Sequence, residues 1–232
     1  MEKFKTALFW SGGKDAAMAL HEFLQSEKHS VDYLVCTFHR STSRLSMHGV
    51  RPEIIKKQVD LIGLPLYEMW VEGEGNKAYE SAFQSTLTAL KSKGITHIAF
   101  GDIFLEDLKA YRDDFLANNN LKAVYPLWKK DTTQLVQQFT ANGFEAIIVC
   151  ASNHYFDEDI LYTPISNAFM HSLPSKVDPC GENGEFHTLC VNAPFFASKL
   201  VVKTNGVTFK ALPLSVEKNE PKLGFFYGDL LL

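Results

Sequence analysis

FWSGGKDAAMALHEF, residues 9–23, sets a strand-like apolar run (Thr6–Trp10) against a helix-forming one (Ala16–Leu20), with Ser11-Gly12-Gly13-Lys14-Asp15 between them. At a strand-to-helix junction the free backbone N–H groups and the positive end of the helix dipole point to one place, which makes the junction an anion site. Gly12 and Gly13 let the backbone turn sharply and approach phosphate oxygens with no Cβ in the way; Ser11 adds a hydroxyl and Lys14 a charge. Asp15 offers no anion contact, and beside phosphates it caps the helix or holds a magnesium ion. The spacing is neither G-x-x-x-x-G-K-[ST] nor G-x-G-x-x-G. Taken alone, a tight turn with an exposed lysine explains the stretch equally well.

Working outward, the strand TALFWS and a helix from Asp15 to Leu24 are followed by VDYLVCTFH, β-branched and aromatic like a second strand. A polar segment (Arg40–Met47) leads to a helix over Pro52–Leu61 with proline in its first turn. LPLYEMWV is a third strand, Lys77–Lys93 an amphipathic helix and THIAFGDI a fourth strand ending at Gly101-Asp102-Ile103. Residues 104–118 read as helix, AVYPLW as short and extended, Thr132–Ala141 as helix and EAIIVCA as strand. Repeated βα units predict an α/β fold, an open, mostly parallel sheet with helices on both faces.

The tail reads differently. Pro164, Pro174, Pro179 and Pro194, a glycine-rich turn at Cys180–Gly184 and strands such as FHTLCVN predict a smaller, partly antiparallel α+β lobe. Asn205-Gly206 between alternating runs predicts a type I′ hairpin. We divide the chain into 1–125, a nucleotide-binding domain, and 126–232, a substrate-binding lobe. The closing GFFYGDLLL suggests a packed end or a homodimer contact.

With 27 acidic against 23 basic residues and a net charge of −4, the chain lacks the basic blocks that capture nucleic acid. No signal-peptide h-region opens it and no run approaches the ~20 apolar residues of a membrane span, so a cytoplasmic location is expected. Cys36, Cys150, Cys180 and Cys190 form no C-x-x-C pair, and no two of the eight histidines make an H-x-x-x-H pair. Free, buried thiols are expected, without disulfides or structural zinc.

Ser11–Asp15 resembles the S-G-G-x-D-S pyrophosphate loop of the ATP pyrophosphatases in the adenine nucleotide alpha hydrolase superfamily, with Ala16 in place of the final serine. GDIFLEDLKAYRD (101–113) and DPCGENGEFHTLCVNAP (178–194) resemble signatures of the diphthine ammonia ligase family, as do MHGV (47–50) and PLW (126–128). The resemblance runs from about residue 5 to 196, and its His187 variant is similar to the bacterial branch. It implies a Rossmann-like nucleotide-binding fold, ATP and magnesium as cofactors, ammonium as nitrogen donor, and a small-molecule or protein carboxylate as substrate. Because bacteria lack diphthamide, that product does not follow from it.

The resemblance assigns the phosphates to Ser11, Gly12, Gly13, Lys14 and Asp15, and the nucleotide crevice to the carboxyl ends of the first, second and fourth strands. Phe38 and Thr37 then meet adenine or ribose, or Phe38 is core. Gly101 lines the crevice. Asp102, with Asp15, binds magnesium or orients substrate, or caps the helix that follows. Arg112 contacts phosphate or a substrate carboxylate, or pairs with a surface acid. Glu182 and Glu185 bind and deprotonate ammonium, or simply solvate a loop. His187 shares the proton work or sits in a strand, and His48, with Arg44 and Arg51, lines the substrate entrance or belongs to a polar loop. Trp128 is stacking or core.

These assignments predict a ligase that adenylates a carboxylate, releases pyrophosphate and lets ammonia displace AMP. Lys14, Asp102, Glu182 and Glu185 are the catalytic candidates. No glutaminase signature is present. A nucleotide sensor without turnover, which Ala16 would suit, and an adenylating enzyme acting on tRNA are the rival readings.

Overall fold

Thr6, Ala7 and Leu8 of β1 (Phe4–Phe9) are fully buried, as the central strand of a sheet covered on both faces requires. The structure, a computed structural model, describes residues 2–212 and 222–232. β1 pairs in parallel with β2 (His29–His39) on one side and β5 (His97–Ala99) on the other. β4 (Leu66–Val71) extends the sheet beyond β2, and β6 (Lys122–Val124) beyond β5, both in parallel. The resulting order β4-β2-β1-β5-β6 reverses direction of growth at β1, so the crevice of this open sheet lies outside the carboxyl ends of β1 and β5.

The polar segment after β2 contributes a strand the sequence does not signal. β3 (Arg44–Leu45) pairs antiparallel with Phe38 and His39, on the edge of β2 that β1 has by then left. This folds residues 40–50 back over the crevice. The fourth expected strand is shorter than its apolar run: it stops at Ala99, and Gly101-Asp102 already lie in the following loop.

Alternation along the strands sorts the helices onto two faces. Leu8, Leu34 and Cys36 pack with α1 (Lys14–Leu24) and α2 (Pro52–Ile62), while Ala7, Val35 and Ile98 pack with α3 (Gly75–Ser92) and with Leu116 of α4 (Glu106–Ala117). The α1–α2 cluster runs on into the second half of the chain, through α5 (Thr132–Ala141), β7 (Glu145–Ser152) and β8 (Phe186–Asn192).

That half holds an antiparallel sheet of order β8-β7-β10-β9, with β9 at Lys203–Ala211 and β10 at Gly224–Leu231, and a short α6 (Asn167–Ser172). Asn205-Gly206 is not a hairpin. It lies inside β9, where two residues of β9 (205 and 206) oppose one of β10 (229) and Gly206 takes φ 98°, so the glycine serves a β-bulge. The apolar tail becomes the inner strand β10, paired on both edges. All four cysteines are buried and free.

Asp229 of β10 ties the folded-back segment down. Its carboxylate accepts from Arg44 Nη1 (2.6 Å), Arg51 Nε (2.9 Å) and Nη2 (2.7 Å), and Asn205 Nδ2 (2.7 Å). Arg44 and Arg51 are thus structural rather than part of a substrate entrance. The hydrogen bonds from Arg51 first, then those from Arg44 and Asn205, hold the Asp229 carboxyl well below the usual carboxylate range. A depressed folded pKa contributes stability that is present above the unfolded value and lost as pH falls through the folded one. Asp229→Asn is expected to lower unfolding stability by about 1–2 kcal/mol at neutral pH, a figure discounted for the partial exposure of both arginines, and by much less in acid. Urea denaturation at the two pH values measures it.

Candidate active site

A cleft of about 520 Å³ opens at the carboxyl ends of β1, β2 and β5 and is roofed by the 180–188 loop and strand. Ser11, Lys14 and Asp15 line it, with Gly101, Asp102 and Arg112, and His48, Glu182 and His187 close it. Ala16 lies in its wall. Three sequence candidates for the site lie outside it besides Arg44 and Arg51: Phe38, Glu185 and the two loop glycines taken together as backbone.

Phe38 is core. Val35 and Thr37 line the cleft, whereas Cys36 and Phe38 point the other way, and the Phe38 ring lies 5.0 Å from that of Trp70. Period-two alternation decides between neighbours. The aromatic wall is instead made by Phe9 and Phe100, whose rings stack at 5.1 Å, with Tyr79.

Gly12 and Gly13 shape the loop from beneath. Gly12 takes φ 72°, and a Cβ there would stand 2.8 Å from Ile55; one on Gly13 would stand 2.9 Å from His48 Cε1 and 3.0 Å from the Thr188 carbonyl. Gly101 gives the loop after β5 its close approach to the start of α1, since a Cβ would come within 3.2–3.3 Å of the Asp15–Ala16 backbone.

The Lys14 ammonium is buried, bonded to Asp15 Oδ2 (2.9 Å) and the Cys180 carbonyl, 5.3 Å from the centre of the Phe186 ring. Burial opposes its charge, but Asp15, Cys180 and Glu182 around it outweigh burial, so its pKa lies above the ordinary lysine value. For Asp15, burial raises the carboxyl above its usual range against the pull of Lys14. Asp102 is ion-paired with Arg112, whose guanidinium lies 4.2 Å from the Phe100 ring centre. Burial raises its carboxyl too, and Asp15 adds to the rise.

Glu182 Oε1 accepts from Ile103 N (2.7 Å) and has no ion-pair partner among the described residues. Burial, reinforced by Asp15 and Asp102, pushes its carboxyl up to about 7. Three carboxyls share this wall with two cations, and the one hydrogen-bonded only to backbone is left to carry the uncompensated proton. Such a group is poised to take or give a proton at neutral pH.

Glu185 is fully buried and faces its own loop. It accepts from Asp178 N (2.9 Å), Asn183 N (3.0 Å) and Asn183 Nδ2 (3.1 Å), while Asp178 accepts from Cys180 N (2.8 Å) and Glu182 N (3.2 Å). These bonds aim the Cys180 carbonyl at Lys14 and Glu182 into the cleft. At the other end, His48 Nδ1 bonds the Thr188 carbonyl (2.8 Å), and Thr188 Oγ1 accepts from Lys14 N (3.0 Å). Among the described residues no group of three or more His, Cys, Asp or Glu side chains could hold a metal ion. Magnesium on a nucleotide needs only one or two carboxylates besides phosphate oxygens, which Asp15 and Asp102 could supply.

Residues 4–123 match the family model for the diphthamide synthase N-terminal domain, and residues 131–216 match that for its C-terminal domain. The chain belongs to the diphthamide synthase family. Its relatives include diphthine–ammonia ligases of Danio rerio, 24% identical over 215 residues (83% of this chain, 84% of the relative), and of Bos taurus, 23% identical over 165 residues (64% and 61%). By the names of these relatives the family is one of ligases.

Sequence reasoning missed Gln58, on α2. Fully buried, it accepts from Trp10 Nε1 (2.7 Å) and donates to the Gly12 carbonyl (3.0 Å) and the Cys190 carbonyl (2.6 Å), joining the loop between β1 and α1 to β8. Its one available signal was a glutamine on the apolar face Ile54-Ile55-Val59. Gln58→Leu leaves the Trp10 N–H and the Cys190 carbonyl unpaired in the core. At about 1–3 kcal/mol each, unfolding stability is expected to fall by about 2–6 kcal/mol in urea titrations.

Proposed function

We propose that this chain is an ATP-dependent amide ligase that adenylates a substrate carboxylate, releases pyrophosphate and uses ammonia to displace AMP. The observation that carries the reading is the convergence, at the sheet's crevice, of an anion loop with a buried lysine and a carboxyl poised near pH 7. The ligase names of the relatives support ammonia as a substrate. We also propose that residues 1–125 act as the nucleotide domain and 126–232 as the substrate lobe, a division supported by the two family models and two sheets.

In this reading the triphosphate lies over the N-terminus of α1, with adenine against Phe9, Phe100 and Thr37. Lys14 and the loop amides stabilise charge on the departing pyrophosphate. Asp15 and Asp102 would hold magnesium, which supplies charge neutralisation on the phosphates. Arg112 orients Asp102, and Glu185 positions Glu182. Ammonium loses one proton on becoming ammonia and a second as the C–N bond forms and the C–O bond to AMP breaks. Glu182 takes these protons in turn, passing each to solvent. Four buried thiols suit a reducing cytoplasm, and no helix of the described residues is long and apolar enough to cross a membrane.

The test is the identity of the bond broken. With magnesium ATP, ammonium and clarified cell extract, phosphorus NMR of the products is expected to show AMP and pyrophosphate. ADP and orthophosphate as the products would overturn the reading.

A further inference from the structure

We infer that His48 Nε2 is the acceptor that holds neutral ammonia beside the pyrophosphate loop. The inference rests on the amidation reading and deepens it, naming where the nitrogen nucleophile binds. Its basis is a fixed tautomer. The Nδ1 of His48 lies 2.8 Å from the Thr188 carbonyl, an acceptor, so Nδ1 carries the hydrogen and Nε2 presents a bare lone pair. The residue is 9% exposed, lines the cleft, and has no protein partner at Nε2 among the described residues. Its Cε1, bonded to Nε2, stands where a Cβ on Gly13 would be 2.9 Å away, so the imidazole lies beside the loop assigned to the phosphates.

An acceptor-only nitrogen in that position excludes most of the reactants. Phosphate and carboxylate oxygens are acceptors too, and two lone pairs facing each other repel. Burial, and after it the Lys14 ammonium, keeps the His48 imidazole uncharged, its pKa held down at about 4, and the same ammonium disfavours a cation beside it. The His187 ring, 4.8 Å away and kept neutral by burial, offers no charge to attract one. What remains is an uncharged hydrogen-bond donor, which among the reactants is ammonia or a hydroxyl or amine of the nucleoside. Ammonia bonded through one hydrogen to Nε2 keeps its own lone pair free for the acyl carbon, and no proton passes to His48. Deprotonation stays with Glu182, and holding the product of that step falls to the imidazole.

The experiment follows the ring nitrogens of the unliganded full chain, uniformly labelled with nitrogen-15, at alkaline pH where part of the ammonium is free ammonia. Increasing ammonium chloride is expected to move the His48 Nε2 resonance upfield along a saturable curve, while tetramethylammonium chloride, which has no N–H, leaves it in place. Equal shifts with both salts, or none, overturn the site, as does the same shift produced by adenosine, whose hydroxyls and amine are the competing donors. Two variants extend the test to turnover in clarified extract. His48→Asn keeps an N–H for the Thr188 carbonyl and loses the cleft acceptor, so the ammonium KM is expected to rise at least about tenfold with the ATP KM unchanged. His48→Gln restores an acceptor at the Nε2 position and is expected to recover most of that loss. A rise in the ATP KM instead overturns the inference. Saturable ammonia binding without ammonium-dependent AMP formation would keep this site and remove the amidation reading; ammonium-dependent AMP formation without the shift would do the reverse.

Discussion

Glu182→Gln is expected to slow ammonium-dependent AMP formation by about 10²–10⁴-fold, the range of general acid–base catalysis. The parent rate should climb with pH through about 7, where burial and the carboxylates of Asp15 and Asp102 place the Glu182 titration, and level off above it. The variant should lose that limb. Loss of activity will not reflect loss of fold. A carboxyl whose folded pKa is raised above its unfolded value binds more protons when folded, so its contribution to stability falls as pH rises between the two values. Glutamine removes this penalty and keeps an oxygen for Ile103 N, and thermal unfolding at neutral pH should be no lower than in the parent. A rate that stays within threefold, or a pH limb that survives, would remove Glu182 from the proton path.

Lys14→Met is expected to reduce kcat by about 10²–10³-fold, as for loss of one preorganised donor to a developing oxyanion. The ammonium is already fixed between Asp15 and the Cys180 carbonyl, so it needs little reorganisation when the α–β phosphate bond opens. Its effect should therefore fall on kcat more than on the KM for ATP. The substitution also leaves Asp15 without its cation in a buried wall, and part of any stability loss should return in Lys14→Met/Asp15→Asn while activity does not. Steady-state kinetics and urea titration of the three proteins separate the two effects. An unchanged kcat with a raised ATP KM would make Lys14 a binding group only.

The central sheet was legible because its strands are buried on both faces and its helices carry ordinary apolar stripes. The stretch at residues 9–23 places strand, loop and helix as the structure does. What the sequence hid was direction at close quarters. Phe38 and Thr37 are neighbours with opposite faces, and only the register of β2 tells which one meets the cleft. Glu182 and Glu185 share one glycine-rich turn. Three bonds from the loop's own N–H groups turn Glu185 inward, and nothing in G-E-N-G-E announces them. Asn205-Gly206 satisfies hairpin chemistry, yet the positive φ it permits is spent on a bulge, because pairing of Thr204 with Leu230 and of Val207 with Gly228 cannot be read locally. Gln58 and Asp229 act across 46 and 185 residues of chain, on Gly12 and Arg44, and become visible only when the chain is folded.

The most direct test of the amidation account is to supply ammonium labelled with nitrogen-15, magnesium ATP and clarified extract, and to count AMP against label retained in amide linkage by mass spectrometry. One labelled amide per AMP, lost together in Glu182→Gln, is the predicted result. AMP formed without covalent nitrogen-15 would contradict it.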